Sequence, residues 1–403
     1  MTPQPAMPSM RWASVSATDR ALTQAVAQAT DRLLEALGGC EPDLVLVFVS
    51  SQYRNHFSTL PGLLRREFDS AQLVGCLGVN VIGAGRESAN EATVALVGTI
   101  LPGVKLQTAH LEQSATPPLY ANRSLWDNAL NLTDQVPECQ ILLTDPYSFN
   151  TDALIKAVDR HYPHCTVLGG LASGMEHPGT ACLLLNERVY NSGALCLSMS
   201  GNLSVATIVA QGCRPIGEPM FANATHENLI MQLDGKVPRD ILTDLYQTIE
   251  RSDRKLFTDS LFLGVAMEPQ REQYQAGDFL IRTILGLDPD SGALLINTHL
   301  APHSVVQLHL RDAKTSATDL QQLLSHYRAS SEQQSPRGVL LFSCLGRGTE
   351  FYGAPDHDSN AFKQVVSDLP IGGFFCNGEI GPVRGVTHLH GYTSVFGIFS
   401  SKQ

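Results

Sequence analysis

Three segments of this 403-residue chain follow one plan, and that recurrence restricts the fold more than any other feature. "DLVLVFVSSQYRN" begins at Asp43, "CQILLTDPYSFN" at Cys139 and "RGVLLFSCLGRG" at Arg337. In each, a continuous apolar run is followed at once by Ser, Thr, Asp, Cys or Gly, the pattern of a strand buried on both faces that ends in a polar loop. An amphipathic helical pattern comes next, carried by Leu154, Ala157 and Val158 in the second segment and by Phe362, Val365, Val366 and Leu369 in the third. A second apolar strand then leads into a glycine turn, in "LVGCLGVNVIGAGRE", "TVLGGLASGME" and "IGGFFCNGE". The spacing from Gly169 to Glu176 equals that from Gly372 to Glu379, which sets these two acids at equivalent positions. A hairpin pattern closes each unit, as in "ACLLLNERVYNSGALCLSMSG" and "VTHLHGYTSVFGIFS".

A fourth, weaker unit is expected near 261–312, where the first strand, the glycine and the closing hairpin survive without the helix. With the strong units near 43–103, 139–202 and 337–400, this gives two domains of two units each, 1–222 and 223–403. The expected fold class is mixed α/β, with stacked mixed sheets and helices on their outer faces. An N-terminal helix over Ala21–Leu37 ends at Gly38 and Gly39 and is expected to pack on the first sheet.

The net charge of -11, with Lys and Arg scattered, leaves no electrostatic footprint for nucleic acid, so no nucleic-acid partner is expected. No apolar run is long enough for a transmembrane segment, and the first residues lack the build of a secretory signal. Nine cysteines without CxxC spacing, mostly inside strand-like runs, fit reduced thiols used as small hydrophobes and a cytoplasmic setting.

Polar chemistry concentrates in "GRGTEFYGAPDHDSNAF" and "FFCNGEIG". Asp358, Ser359 and Asn360 are good helix N-cap residues, and one of the first two is expected to start the helix that follows. A metal reading uses Asp356, His357 and Asp358 with His388 and His390, and it stays open because no tight ligand signature accompanies them. A nucleophile reading uses Cys344 or Cys376 with one of these histidines. A third reading is a small-ligand pocket, with Arg347 gripping a carboxylate and Asp356, Asp358 or Glu379 meeting an ammonium group. Its candidate ligand-binding residues are Arg347, Asp356, His357, Asp358, Asn360, Cys376, Asn377 and Glu379. No catalytic residue is assigned and no cofactor is expected.

The run "GVLLFSCLGRGTEFYGAPDHDSNAF", with "LPIGGFFCNGEIGPVRG" and "LHGYTSVFGIF", resembles the C-terminal module of FIST proteins, and "DLVLVFVS", "VGCLGVNVIG", "VLGGLASG" and "VAQGCRPIGEPM" resemble the N-terminal module. The resemblance implies an intracellular sensory protein that binds a small ligand, amino acids being one such class, and that acts in signal transduction. It also implies an alternative, an interaction adaptor akin to F-box substrate receptors, and a Cys/His- or metal-dependent enzyme is a third reading. Only residues 1–20 precede the first expected helix and the last strand nearly meets the C-terminus, so a fused output or F-box module is not expected. A protein signalling partner is therefore expected.

Overall fold

A computed structural model describes residues 9–133, 135–330 and 335–402. Strand β1 (Arg11–Thr18) and helix α1 (Leu22–Ala36) precede the first repeat, in which β2 (Leu44–Ser50) leads through a 3-10 segment, Ser51–Thr59, and α2 (Leu60–Leu64) into β3 (Gln72–Gly78). The hairpin β4 (Val81–Gly83) and β5 (Arg86–Glu87) follows, then β6 (Thr93–Ile100) and β7 (Val104–Leu111). After α3 (Arg123–Ala129) the second repeat has β8 (Cys139–Thr144), α4 (Thr151–His161), β9 (Thr166–Leu171), the hairpin β10 (Leu183–Leu185) and β11 (Arg188–Tyr190), β12 (Ala194–Gly201) and β13 (Ser204–Ala210). A different segment intervenes: β14 (Cys213–His226), β15 (Leu229–Leu233), α5 (Pro238–Thr248), α6 (Arg254–Asp259), β16 (Leu261–Ala266), β17 (Phe279–Leu287), β18 (Leu294–Ile296), β19 (Val305–Arg311) and α7 (Ala313–Ser330). The third repeat comprises β20 (Gly338–Cys344), α8 (Thr349–Tyr352), α9 (His357–Val365), β21 (Ile371–Cys376), the hairpin β22 (Glu379–Val383) and β23 (Val386–His390), and β24 (Ser394–Ser400).

The described residues of 9–209, 324–389 and 393–402 form one compact unit, and 210–323 with 390–392 form another. The second holds a closed barrel in the order β14-β15-β18-β17-β16-β19. The segment near 261–312, expected as a fourth repeat, belongs to this barrel. Its strand pairings are antiparallel, whereas each of the three strong repeats has a parallel pair. An apolar strand, a glycine and a hairpin describe any antiparallel meander, so the helix missing from this segment was the informative part of the pattern.

In the first unit the three repeats build three six-stranded sheets, ordered β1-β6-β2-β3-β10-β11, β7-β12-β8-β9-β22-β23 and β13-β24-β20-β21-β4-β5. Each carries one parallel pair at its centre and ends in a hairpin lent by another repeat. The second repeat lends to the first sheet, the third to the second and the first to the third. The parallel pairs align Val47 with Gly75, Leu142 with Gly169 and Leu341 with Gly373. A Cβ at any of these glycines would lie 1.9 or 2.0 Å from the partner's carbonyl oxygen, so the close approach excludes side chains at all three. The register makes Gly169 equivalent to Gly373 rather than Gly372, and Glu176 and Glu379 are consequently not counterparts.

Both faces of the central strands are buried, which accounts for their unbroken apolar runs. Leu44, Leu46 and Phe48 share one core with Ile141, Leu143, Leu340 and Phe342, while Val45, Val47 and Val49 pack against α1 and α2. Helix α1 ends as expected, with Gly38 and Gly39 at positive φ and bonding back to Glu35 and Leu34. Each lent hairpin is tied to the helical segment of the sheet it joins. Arg65 reaches Glu187 at 2.9 Å and Asn186 at 3.2 Å, Asp159 accepts from the Thr387 amide and hydroxyl, and Glu87 accepts from the Ser359 amide and hydroxyl.

Candidate ligand-binding site

Most of the residues singled out in the third repeat form a closed internal network. Arg347 is buried and forks onto Asp358, with Nε 2.8 Å from Oδ2 and the terminal nitrogen 3.0 Å from Oδ1. His357 Nδ1 lies 2.9 Å from the same Oδ1, Ser343 and Ser394 direct their hydroxyls at Oδ2, and the Tyr352 ring stacks on His357 at 3.5 Å and covers the Arg347 guanidinium at 5.4 Å. Burial alone would raise the Asp358 pKa, but the Arg347 charge and the bonds from His357, Arg347 and Ser394 outweigh it and hold the carboxyl well below the usual range. The fork that the sequence suggested for a ligand carboxylate is filled by the chain's own aspartate.

The helix start is also made differently from the expectation. Asp356 is the N-cap residue of α9, at φ 57° and without a side-chain cap bond, and its Oδ1 accepts from the Glu87 amide at 2.7 Å. Glu87 in turn accepts from the Ser359 amide at 2.9 Å, so a remote hairpin supplies the cap in place of Asp358 or Ser359. Burial, reinforced by the Asp358 charge, pushes the Glu87 carboxyl up to about 7. Glu379, fully buried, accepts from the Thr393 amide at 3.1 Å and hydroxyl at 2.7 Å, and burial raises it to about 8. Burial likewise pushes the Cys376 thiol well up, which removes the physical basis for Cys376 as a nucleophile. Asn360 is exposed on α9. Among the described residues no cluster of His, Cys, Asp and Glu is placed to hold a metal ion.

A cleft of about 360 Å³ opens instead where the C-terminal ends of the three parallel pairs meet. Ser51 and Val79 follow β2 and β3, Tyr147 and Ser173 follow β8 and β9, and Leu345 and Asn377 follow β20 and β21. Brought together by the cyclic exchange of hairpins, these ends present polar loop residues to one space, the usual place for a ligand in sheets with parallel strands. Of the eight residues proposed from sequence, Asn377 lines the cleft.

The floor is a ring of hydrogen bonds between repeats. The Ser173 amide donates to the Leu77 carbonyl at 3.2 Å, and the equivalent Asn377 amide donates to the Leu171 carbonyl at 3.0 Å. At the third equivalent position the Ser173 hydroxyl intervenes, accepting from the Val79 amide at 2.9 Å and donating to the Phe375 carbonyl at 2.5 Å. On the wall, Arg54 holds Glu176 at only 3.5 Å, and its Nε is buried without a hydrogen-bond partner among the described residues. Both residues lie in segments marked by the repeat, "SSQYRN" and "ASGME", but neither is near the other in sequence and local patterns could not pair them.

Three repeats of mixed α/β sheets that exchange hairpins in a cycle and share a polar cleft at their strand ends define the class of fold. Residues 43–236 match the FIST N domain and 239–382 the FIST C domain, and the chain belongs to the FIST family. It is 32% identical over 377 residues to an uncharacterized protein of Mycobacterium tuberculosis, across 93% of this chain and 96% of that one. A second uncharacterized protein, from Mycobacterium bovis, is 29% identical over 378 residues, 93% of this chain and 95% of that one. F-box only protein 22 of Homo sapiens is 36% identical over 77 residues, 19% of this chain and 18% of that protein. A solved cyanuric acid hydrolase from A. caulinodans aligns over 98% of this chain and 100% of that one at 11% identity and a TM-score of 0.38, too distant a likeness to carry an argument.

Proposed function

We propose that this FIST protein is a sensory module that binds a small carboxylate-bearing ligand, amino acids and their relatives being the class in view, in the cleft at the strand ends. The observation that carries the reading is Arg54, a cation on the cleft wall whose Nε is buried without a hydrogen-bond partner among the described residues and whose ion pair with Glu176 is long. A guanidinium left in this state gains most from a carboxylate that can take two of its N–H groups at once. Ser51, Tyr147 and Asn377 add polar groups around the same space. The network of Arg347, Asp356, His357, Asp358, Glu87 and Glu379 serves as its rigid support, because every contact described for it is internal. Occupancy is passed to a protein partner. A thermal-shift screen of common amino acids and keto acids tests this. A ligand at about 100 times its Kd adds about 2.7 kcal/mol of stability. Loss of that shift in Arg54→Ala but not in Arg347→Lys is the expected outcome, and an unchanged shift in Arg54→Ala removes the cleft from the site.

A further inference from the structure

Comparison of the three repeats isolates one departure from their common plan. Between the paired strand and its hairpin the first repeat has residues 79–80 and the third has 377–378, whereas the second has 172–182. The inter-repeat bonds fix what is extra. The Cys182 carbonyl accepts from the Leu77 amide as the Asn80 carbonyl does from Phe375 and the Gly378 carbonyl from Leu171, while Ser173 holds the place of Val79 and Asn377. Residues 174–181 are therefore an insertion, and it falls at the cleft, with Met175 and Glu176 among the lining residues. Gly174 stands at its root at φ +80°, where a Cβ would come 2.8 Å from the Ser51 Cβ, and Gly179 gives a second turn at φ +78° with no described residue within 4 Å of a Cβ there. The inserted residues His177, Pro178 and Gly179 are exposed.

We infer that residues 174–181 are a lid over the cleft, latched by Glu176, whose carboxylate occupies Arg54 in the place of the ligand's own. The inference rests on the ligand reading given above and adds the regulation of that site. The latch is weak by construction: the pair is 3.5 Å long and the Glu176 side chain is 72% exposed. An exposed ion pair of this kind contributes at most about 1 kcal/mol, equivalent to about a five-fold change in an equilibrium. A ligand carboxylate that forks onto Arg54 displaces Glu176, frees the lid and so converts occupancy into a change at the surface that a partner can read.

The test is hydrogen exchange of the amides of 174–181 in wild type, Glu176→Gln and Arg54→Ala, with propionate and glycine titrated into each. Glu176 is itself exposed, and Glu176→Gln leaves in place Met175 and Ala181, the inserted residues that pack in the core. The latch predicts faster exchange, by up to about five-fold, confined to these residues in both variants, and propionate bound more tightly by Glu176→Gln than by wild type. Unchanged exchange in both variants overturns the latch, even where propionate binds in an Arg54-dependent way and the ligand reading stands. Weaker glycine binding by Glu176→Gln with unchanged exchange overturns it also, because Glu176 is then a ligand for the ammonium group. Faster exchange with neither compound bound overturns the stand-in role and the ligand reading together.

Discussion

Glu87 and Glu379 are carboxyls whose protonated forms the fold favours, and the sign of that preference is testable. Their pKa values are raised from 4.5 to about 7 and about 8, both with burial as the largest cause. Between 4.5 and those values the folded protein holds protons that the unfolded chain has released, so stability falls as pH rises across this window. Glu87 alone accounts for a loss on the order of 3 kcal/mol by pH 8. We expect denaturant unfolding to show a more stable protein at pH 5 than at pH 8, and Glu87→Gln or Glu379→Gln to flatten that slope. Asp358 has the opposite sign: its depressed carboxyl adds stability above the usual Asp range, and this is lost in strong acid. Asp358→Asn strands the Arg347 charge and is expected to cost about 3–5 kcal/mol, whereas replacing both partners with apolar residues costs far less. A double-mutant cycle in urea separates the two. The sequence revealed that Arg347 seeks a carboxylate, but not whose. A ligand and an aspartate eleven positions along the chain satisfy the same fork.

At the scale of elements, the apolar runs of β2, β8 and β20 were legible because strands buried on both faces are apolar nearly throughout, Gln140 in β8 being a buried exception. The register of the parallel pairs was not, because "VLGG" and "IGGF" offer two adjacent glycines each and only the carbonyl across the pair selects one. Gly75→Ala, Gly169→Ala and Gly373→Ala are each expected to cost more than about 3 kcal/mol, since the neighbour that must move is backbone. Gly179→Ala meets nothing within 4 Å among the described residues and is expected to cost about 1–2 kcal/mol for its left-handed backbone alone. Ser173→Ala removes the hydroxyl that joins the Val79 amide to the Phe375 carbonyl and leaves both without it. A loss of about 1–3 kcal/mol in chemical denaturation, with recovery in Ser173→Thr, is the expected pattern.

For the whole molecule, the three strong repeats could be read from the sequence, but the expected fourth unit belongs to the barrel and the exchange of hairpins could not be read. A hairpin carries the same alternation whichever sheet it joins, and the bonds that direct it, such as Glu87 to Ser359 and Asp159 to Thr387, join residues hundreds of positions apart. That exchange brings all the parallel strand ends to one cleft, which is why Arg54 and Glu176 escaped a reading confined to local motifs. Among the described residues no helix is long and apolar enough to cross a membrane. The central claim is that Arg54 anchors a ligand carboxylate in that cleft. Calorimetric titration of the purified chain with the best stabilising compound from the carboxylate screen, beside Arg54→Ala, tests it most directly. We predict saturable binding at one site per chain that Arg54→Ala abolishes without unfolding, and equal affinity in the two proteins would contradict it.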